Sequence, residues 1–176
     1  MAKDNLPPFD ERGCLPEGIY NPSVEDFMER FVKVTERRKE LFGKYQQFTK
    51  LCNDAKGIEE HYLDGSYVTD KEAPNDIDLL ILFNKEVYES DETYEIYFEM
   101  SHDQKKMKEV YEMHAFFVEK PQDSDPVEIR VNLQHEIDKI KGWWSRFYLD
   151  EEKTILDEKP KGFILFDKEQ LGQIGE

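Results

Sequence analysis

A chain of 176 residues is long enough for one domain with a sizeable core and too short for several. Its hydrophobic share of 38% and aromatic share of 13% exclude a disordered chain. With 24 Lys and Arg against 40 Asp and Glu, the net charge is −16. That balance disfavours broad nucleic-acid binding and leaves metal–triphosphate complexes and basic protein partners open.

The N-terminus, Met1 to Pro8, shows no apolar segment of a secretory signal, and the longest apolar run, Leu79 to Phe83, is too short to span a membrane. Cys14 and Cys52 stand apart, without C-x-x-C spacing, and read as reduced thiols of a cytoplasmic protein.

The stretch over 4–22 is rich in Pro, Gly and charge, so residues 1–22 read as an extended N-terminal arm and 23–176 as one domain. Ser23, with Asp26 three residues on, caps a short helix to about Phe31. Thr35 opens a longer one, in which Leu41, Tyr45, Phe48, Leu51 and Cys52 recur at helical spacing. Turn residues over 53–57 end it. Ile58 to Leu63 reads as a first strand and Ile77 to Phe83 as a second. An acidic connection over 86–91 leads to a helix from about Thr93 to Val110. Tyr111 to Val118 is a third strand, and Val127 to Leu133, which alternates as Val-Glu-Ile-Arg-Val-Asn-Leu, a fourth. His135 to Tyr148 is amphipathic, with Trp143 and Trp144 as packing residues or, alternatively, as a stacking surface for a base. Lys161 to Phe166 suits a last strand. This order of helices and strands implies one α+β domain with a mixed sheet of about four to five strands flanked by helices.

The chemistry is concentrated between His61 and Phe83. Asp76 and Asp78 alternate with Ile77 and Leu79, so both carboxylates leave one face of an extended chain, about 6.6 Å apart at a rise of roughly 3.3 Å per residue. Uncompensated, they would repel each other on an apolar element; a divalent cation removes the conflict. Gly65 follows the first strand, where an unusual turn or close ligand approach favours glycine. Ser66 then offers a hydroxyl and neighbouring N–H groups to a phosphate. Arg37, Arg38 and Lys44 could reach that phosphate from the early helix, or simply form a solvated face.

The ordered combination of strand, Gly65-Ser66, short spacer, Asp76-Ile77-Asp78 and apolar strand resembles the signature of the DNA polymerase β-type nucleotidyltransferase superfamily, in particular its minimal single-domain members. The resemblance is close over 58–83. It extends loosely to Leu15-Pro-Glu-Gly, Trp143-Trp144 and Lys161-Gly-Phe-Ile-Leu, which look like a group of small bacterial nucleotidyltransferase-like proteins. It implies transfer of a nucleoside monophosphate from an NTP, most simply ATP, to an acceptor hydroxyl, with Gly65 and Ser66 at the triphosphate and Asp76 and Asp78 on Mg²⁺ or Mn²⁺. The pattern also asks for a third carboxylate on a later strand. His114 aligns there; Glu112 and Glu128 are the alternatives. Related minimal enzymes modify a partner protein, as when an antitoxin adenylylates its toxin, and the acidic surface agrees with a protein acceptor. The competing expectation, if His114 replaces the acid, is a catalytically degenerate binding module, an antitoxin or NTP sensor. An acidic adaptor with no nucleotide site is the third.

Overall fold

The computed structural model describes residues 6–54, 57–85, 103–146 and 159–176, together with the main-chain course of 147–148 and 155–157. Its core is a five-stranded mixed sheet. The strands are β1 (Ile19–Tyr20), β2 (Ile58–Asp64), β3 (Ile77–Phe83), β4 (Met113–Glu119) and β7 (Phe163–Asp167), in the order β1-β7-β2-β3-β4. β2 runs antiparallel to both neighbours, β3 and β7, while β3 and β4 are parallel, as are β1 and β7. A separate two-stranded pair joins β5 (Phe147–Tyr148) to β6 (Ile155–Asp157).

Helices cover both faces. On one side lie α1 (Val24–Phe27), which continues as a wider turn over Met28–Val32, then α2 (Glu36–Asp54) and α5 (Lys168–Gly175). Ser23 caps α1 as its sequence predicts, its Oγ accepting from Asp26 N–H at 3.0 Å. A capping box between Asp167 and Gln170 opens α5 at the end of β7. Leu41, Tyr45 and Phe48 of α2, spaced for one helix face, meet Leu63, Leu79, Ile81, Ile164 and Phe166 of the sheet in the larger core. Each such fully buried side chain contributes about 1.5–3 kcal/mol of transfer free energy.

The opposite face takes α4 (Val127–Trp144), whose Ile137 and Trp144 pack on Tyr62, Leu80, Leu82, Val118 and Phe163. Here the structure corrects the sequence reading: the alternating run Val127–Leu133 is the first half of this helix and not a strand. Pro126 starts it, and alternation on a helix scatters apolar residues around the axis, which leaves Val127, Ile129 and Val131 exposed. The helix foreseen over 93–110 lies partly outside the described residues; its end is α3 (Gln104–Lys106), which continues as a wider turn over Met107–Tyr111.

The stretch drawn as an arm at 1–22 is, from Leu6 onward, stitched to the domain. Cys14 and Leu15 are buried, Cys14 bridges to Thr69, and β1 joins the sheet. Both cysteines are free thiols. Among the described residues no helix is long and apolar enough to cross a membrane.

Candidate functional site

The register of the sheet assembles the site. Asp78 stands opposite Asp64 of β2 on one side and His114 of β4 on the other, so three polar side chains from three strands form one rung. Alternation sends Ile77, Leu79 and Ile81 into the larger core and leaves Asp78 on the face of α4. His114 Nδ1 lies 3.4 Å from Asp78 Oδ1, and both side chains are partly exposed.

Asp64 is different. It is buried and paired with the equally buried Lys161 Nζ. Burial pushes its carboxyl up to about 6; Lys161 opposes that shift and Asp78 adds to it. Sequence reasoning missed this pair. An acid directly before Gly65, at the end of the strand Ile58–Leu63, was the available signal for Asp64, whereas Lys161 has no local one.

The turn after Asp64 is a single 3₁₀ turn, Gly65–Val68. Gly65 has φ +74°, and a Cβ there would fall 1.9 Å from Asp78 Oδ2. Only glycine lets the Asp78 carboxylate lie against this main chain. Ser66 is half-buried, and its carbonyl closes the turn by accepting from Thr69 Oγ1 at 2.8 Å.

The first turn of α2 holds the loop that leads from this turn to Asp76. Arg38 is 2% exposed, and all five of its N–H donors go to main-chain carbonyls, those of Phe31, Tyr67, Thr69 and, twice, Lys71. Arg37 donates to the carbonyls of Pro74 and Asn75, immediately before Asp76, and Thr35 Oγ1 to that of Glu72. On the other side, Asp70 N–H donates to Gly13 O, and a Cβ on Gly13 would strike the Asp70 carboxylate. Asp76 itself is half-buried. Burial and then the neighbouring Asp78 raise its carboxyl above the ordinary range, against Lys108, His114 and Lys71.

Glu112 does not reach the rung. It adopts the left-handed conformation (φ 52°, ψ 47°) just before β4, a costly state for a non-glycine residue. Its carboxylate accepts from Arg37 at 3.0 and 3.2 Å and from Lys44 at 2.6 Å, contacts that hold it below the ordinary range, Arg37 first. Its carbonyl accepts from Ile77 N–H, between the two aspartates. Arg37 therefore ties the starts of β3 and β4 together, and it and Lys44 are engaged by Glu112. Glu128 sits exposed in the first turn of α4, on no strand. Of the three candidates for the third position, only His114 lies beside Asp78.

Asp76 and Asp78 offer hard oxygen donors. Among the described residues no group of three or more His, Cys, Asp or Glu is arranged to hold a metal ion by itself. An open groove along Val127, Val131, Gln134 and His135 shares no residue with this site.

A family model described as a family of unknown function, DUF6932, matches residues 7–167 of the chain. No curated protein and no solved structure matches it.

Proposed function

The chain belongs to DUF6932, a family of unknown function, and we propose from the chemistry of its site that it is a metal-dependent nucleotidyltransferase. The observation that carries the reading is the seating of Asp78, one of the two paired aspartates, on Gly65 of the Gly65-Ser66 turn. The residues fit a Mg²⁺–nucleotide complex. Mg²⁺ accompanying a triphosphate takes one or two protein carboxylates and completes its shell with phosphate oxygens and water. Asp76 and Asp78 would hold it, and when bound it would neutralise charge developing on the phosphates.

In the proposed reaction the acceptor hydroxyl oxygen attacks the α-phosphorus of an NTP, the bond to pyrophosphate breaks, and NMP is left on the acceptor. Ser66 would offer its main-chain N–H and hydroxyl to the triphosphate, and Gly65, without a side chain, would let it approach closely. His114, beside Asp78, would take the hydroxyl proton. A net charge of −16 favours an acceptor hydroxyl on a protein over one on a nucleic acid.

The test is transfer of label from α-labelled NTPs, with Mg²⁺ or Mn²⁺, to proteins encoded beside this one. Transfer by the wild type and its loss in the Asp76→Ala, Asp78→Ala double variant are expected; undiminished transfer by the double variant sinks the assignment. One observation favours a second reading. The partner of Asp78 on β4 is a histidine, and Glu112 is committed to Arg37 and Lys44. A binding module, an antitoxin or NTP sensor, would bind NTP and metal through the same aspartates without turnover.

A further inference from the structure

Beyond Asp78 the site continues into a row of aromatic rings. The His114 ring, 3.4 Å from Asp78 at Nδ1, has its centroid 4.9 Å from that of Phe116. Phe116 in turn meets Trp144 at 5.2 Å and Trp143 at 6.5 Å, both edge-on. Two facts of the chain produce the row. His114 and Phe116 are two residues apart on β4 and so share its face, and α4 ends over that face. Trp144 is buried by this packing and needs no other explanation. Trp143 touches the same phenylalanine and is 42% exposed. The His114 side chain is 40% exposed and Phe116 half-buried. The open part of the row therefore begins at the carboxylate pair and runs outward from it.

We infer that Phe116 and Trp143, reached from the carboxylates past His114, are the seat for the base of the nucleotide, a planar heteroaromatic ring bound by stacking; this rests on the nucleotidyl-transfer reading. A triphosphate held at Gly65, Ser66 and the aspartates leaves its nucleoside end to find a surface continuous with that site, and this is the one that touches Asp78 through His114. Stacking selects a ring over no ring, and a purine over a pyrimidine by contact area, because every base presents a π-face. It does not read the hydrogen-bonding edge of the base.

Equilibrium binding of ATP and of inorganic tripolyphosphate, both with Mg²⁺, to the wild type, Trp143→Ala and Trp143→Phe separates the contributions. The expected result is unchanged tripolyphosphate binding in all three proteins. For ATP the Kd should rise roughly 5- to 150-fold in Trp143→Ala and return most of the way in Trp143→Phe. Equal ATP affinity in Trp143→Ala and wild type overturns the base seat while leaving the transfer reading intact. So does an equal loss for ATP and tripolyphosphate, which would mean that the ring supports the fold of the site. Failure of the wild type to bind either ligand overturns the transfer reading and the base seat together.

Discussion

Gly65 and Asp78 constrain each other at the level of single atoms. A methyl group at Gly65 would overlap the Asp78 carboxylate and force it to turn away, at a φ that disfavours any L-residue. Gly65→Ala is expected to cost on the order of 1–3 kcal/mol in urea unfolding and to abolish metal-dependent nucleotide binding, since Asp78 must move. Wild-type stability and binding in that variant would show that the contact does not shape the site. The types of these residues were legible in the sequence, as was their order. Their contact was not, because it depends on β2 turning back onto β3 with Asp64 opposite Asp78. The other pairing of β2, Leu63 opposite Ile164 of β7, produces the buried Asp64–Lys161 pair, whose lysine arrives from far along the chain without any local motif.

At the scale of elements, the N-terminal turn of α2 acts as a clamp on the loop between the two halves of the motif. The basic residues there read from sequence as phosphate contacts or as a solvated face. Arg38 is neither. Its planar fork matches four inward-turned carbonyls, and an ammonium has only three donors for the same positions. Arg38→Lys should lose on the order of 1–3 kcal/mol and Arg38→Met about 3 kcal/mol or more, measured by urea unfolding, because buried carbonyls lose charge-assisted partners. Near-wild-type stability of Arg38→Met would remove the clamp. The long periodic helix α2 and the apolar run of β3 were readable because spacing and composition alone identify them. The first half of α4 was not: its period-2 alternation imitates a strand, and only the packing of Ile137 and Trp144 on the sheet shows which elements it serves.

At the scale of the molecule, two buried groups give stability opposite dependences on pH. His61 lies in the core with Nδ1 3.0 Å from the Tyr45 hydroxyl, and burial lowers its pKa from 6.5 to about 3. The unfolded chain therefore binds the extra proton between pH 6.5 and 3, so this contribution is full above 6.5 and is lost as pH falls through that window. Asp64 runs the other way. Its folded pKa of about 6 exceeds the unfolded value of 3.8, so its contribution is present below 3.8 and lost as pH rises through 6. His61→Phe should flatten the acid side of the stability curve. Between pH 7 and 5 the wild type should lose on the order of 2 kcal/mol more than the variant, with the Asp64 effect common to both. Urea unfolding at a series of pH values measures this; parallel curves for the two proteins would contradict it.

The sequence by itself determined the order and types of the polar residues proposed for the site and the α+β framework they sit on, because period, turn residues and the Gly65-Ser66 to Asp76-Ile77-Asp78 spacing are local properties. Only the tertiary structure decided what each of them faces. Glu112 went to Arg37 and Lys44, Arg38 to the loop carbonyls, His114 to Asp78, and Trp143 to the outer end of an aromatic row. Those pairings follow from the register of strands distant in the chain and from the faces on which α2 and α4 land. No short window of residues encodes either.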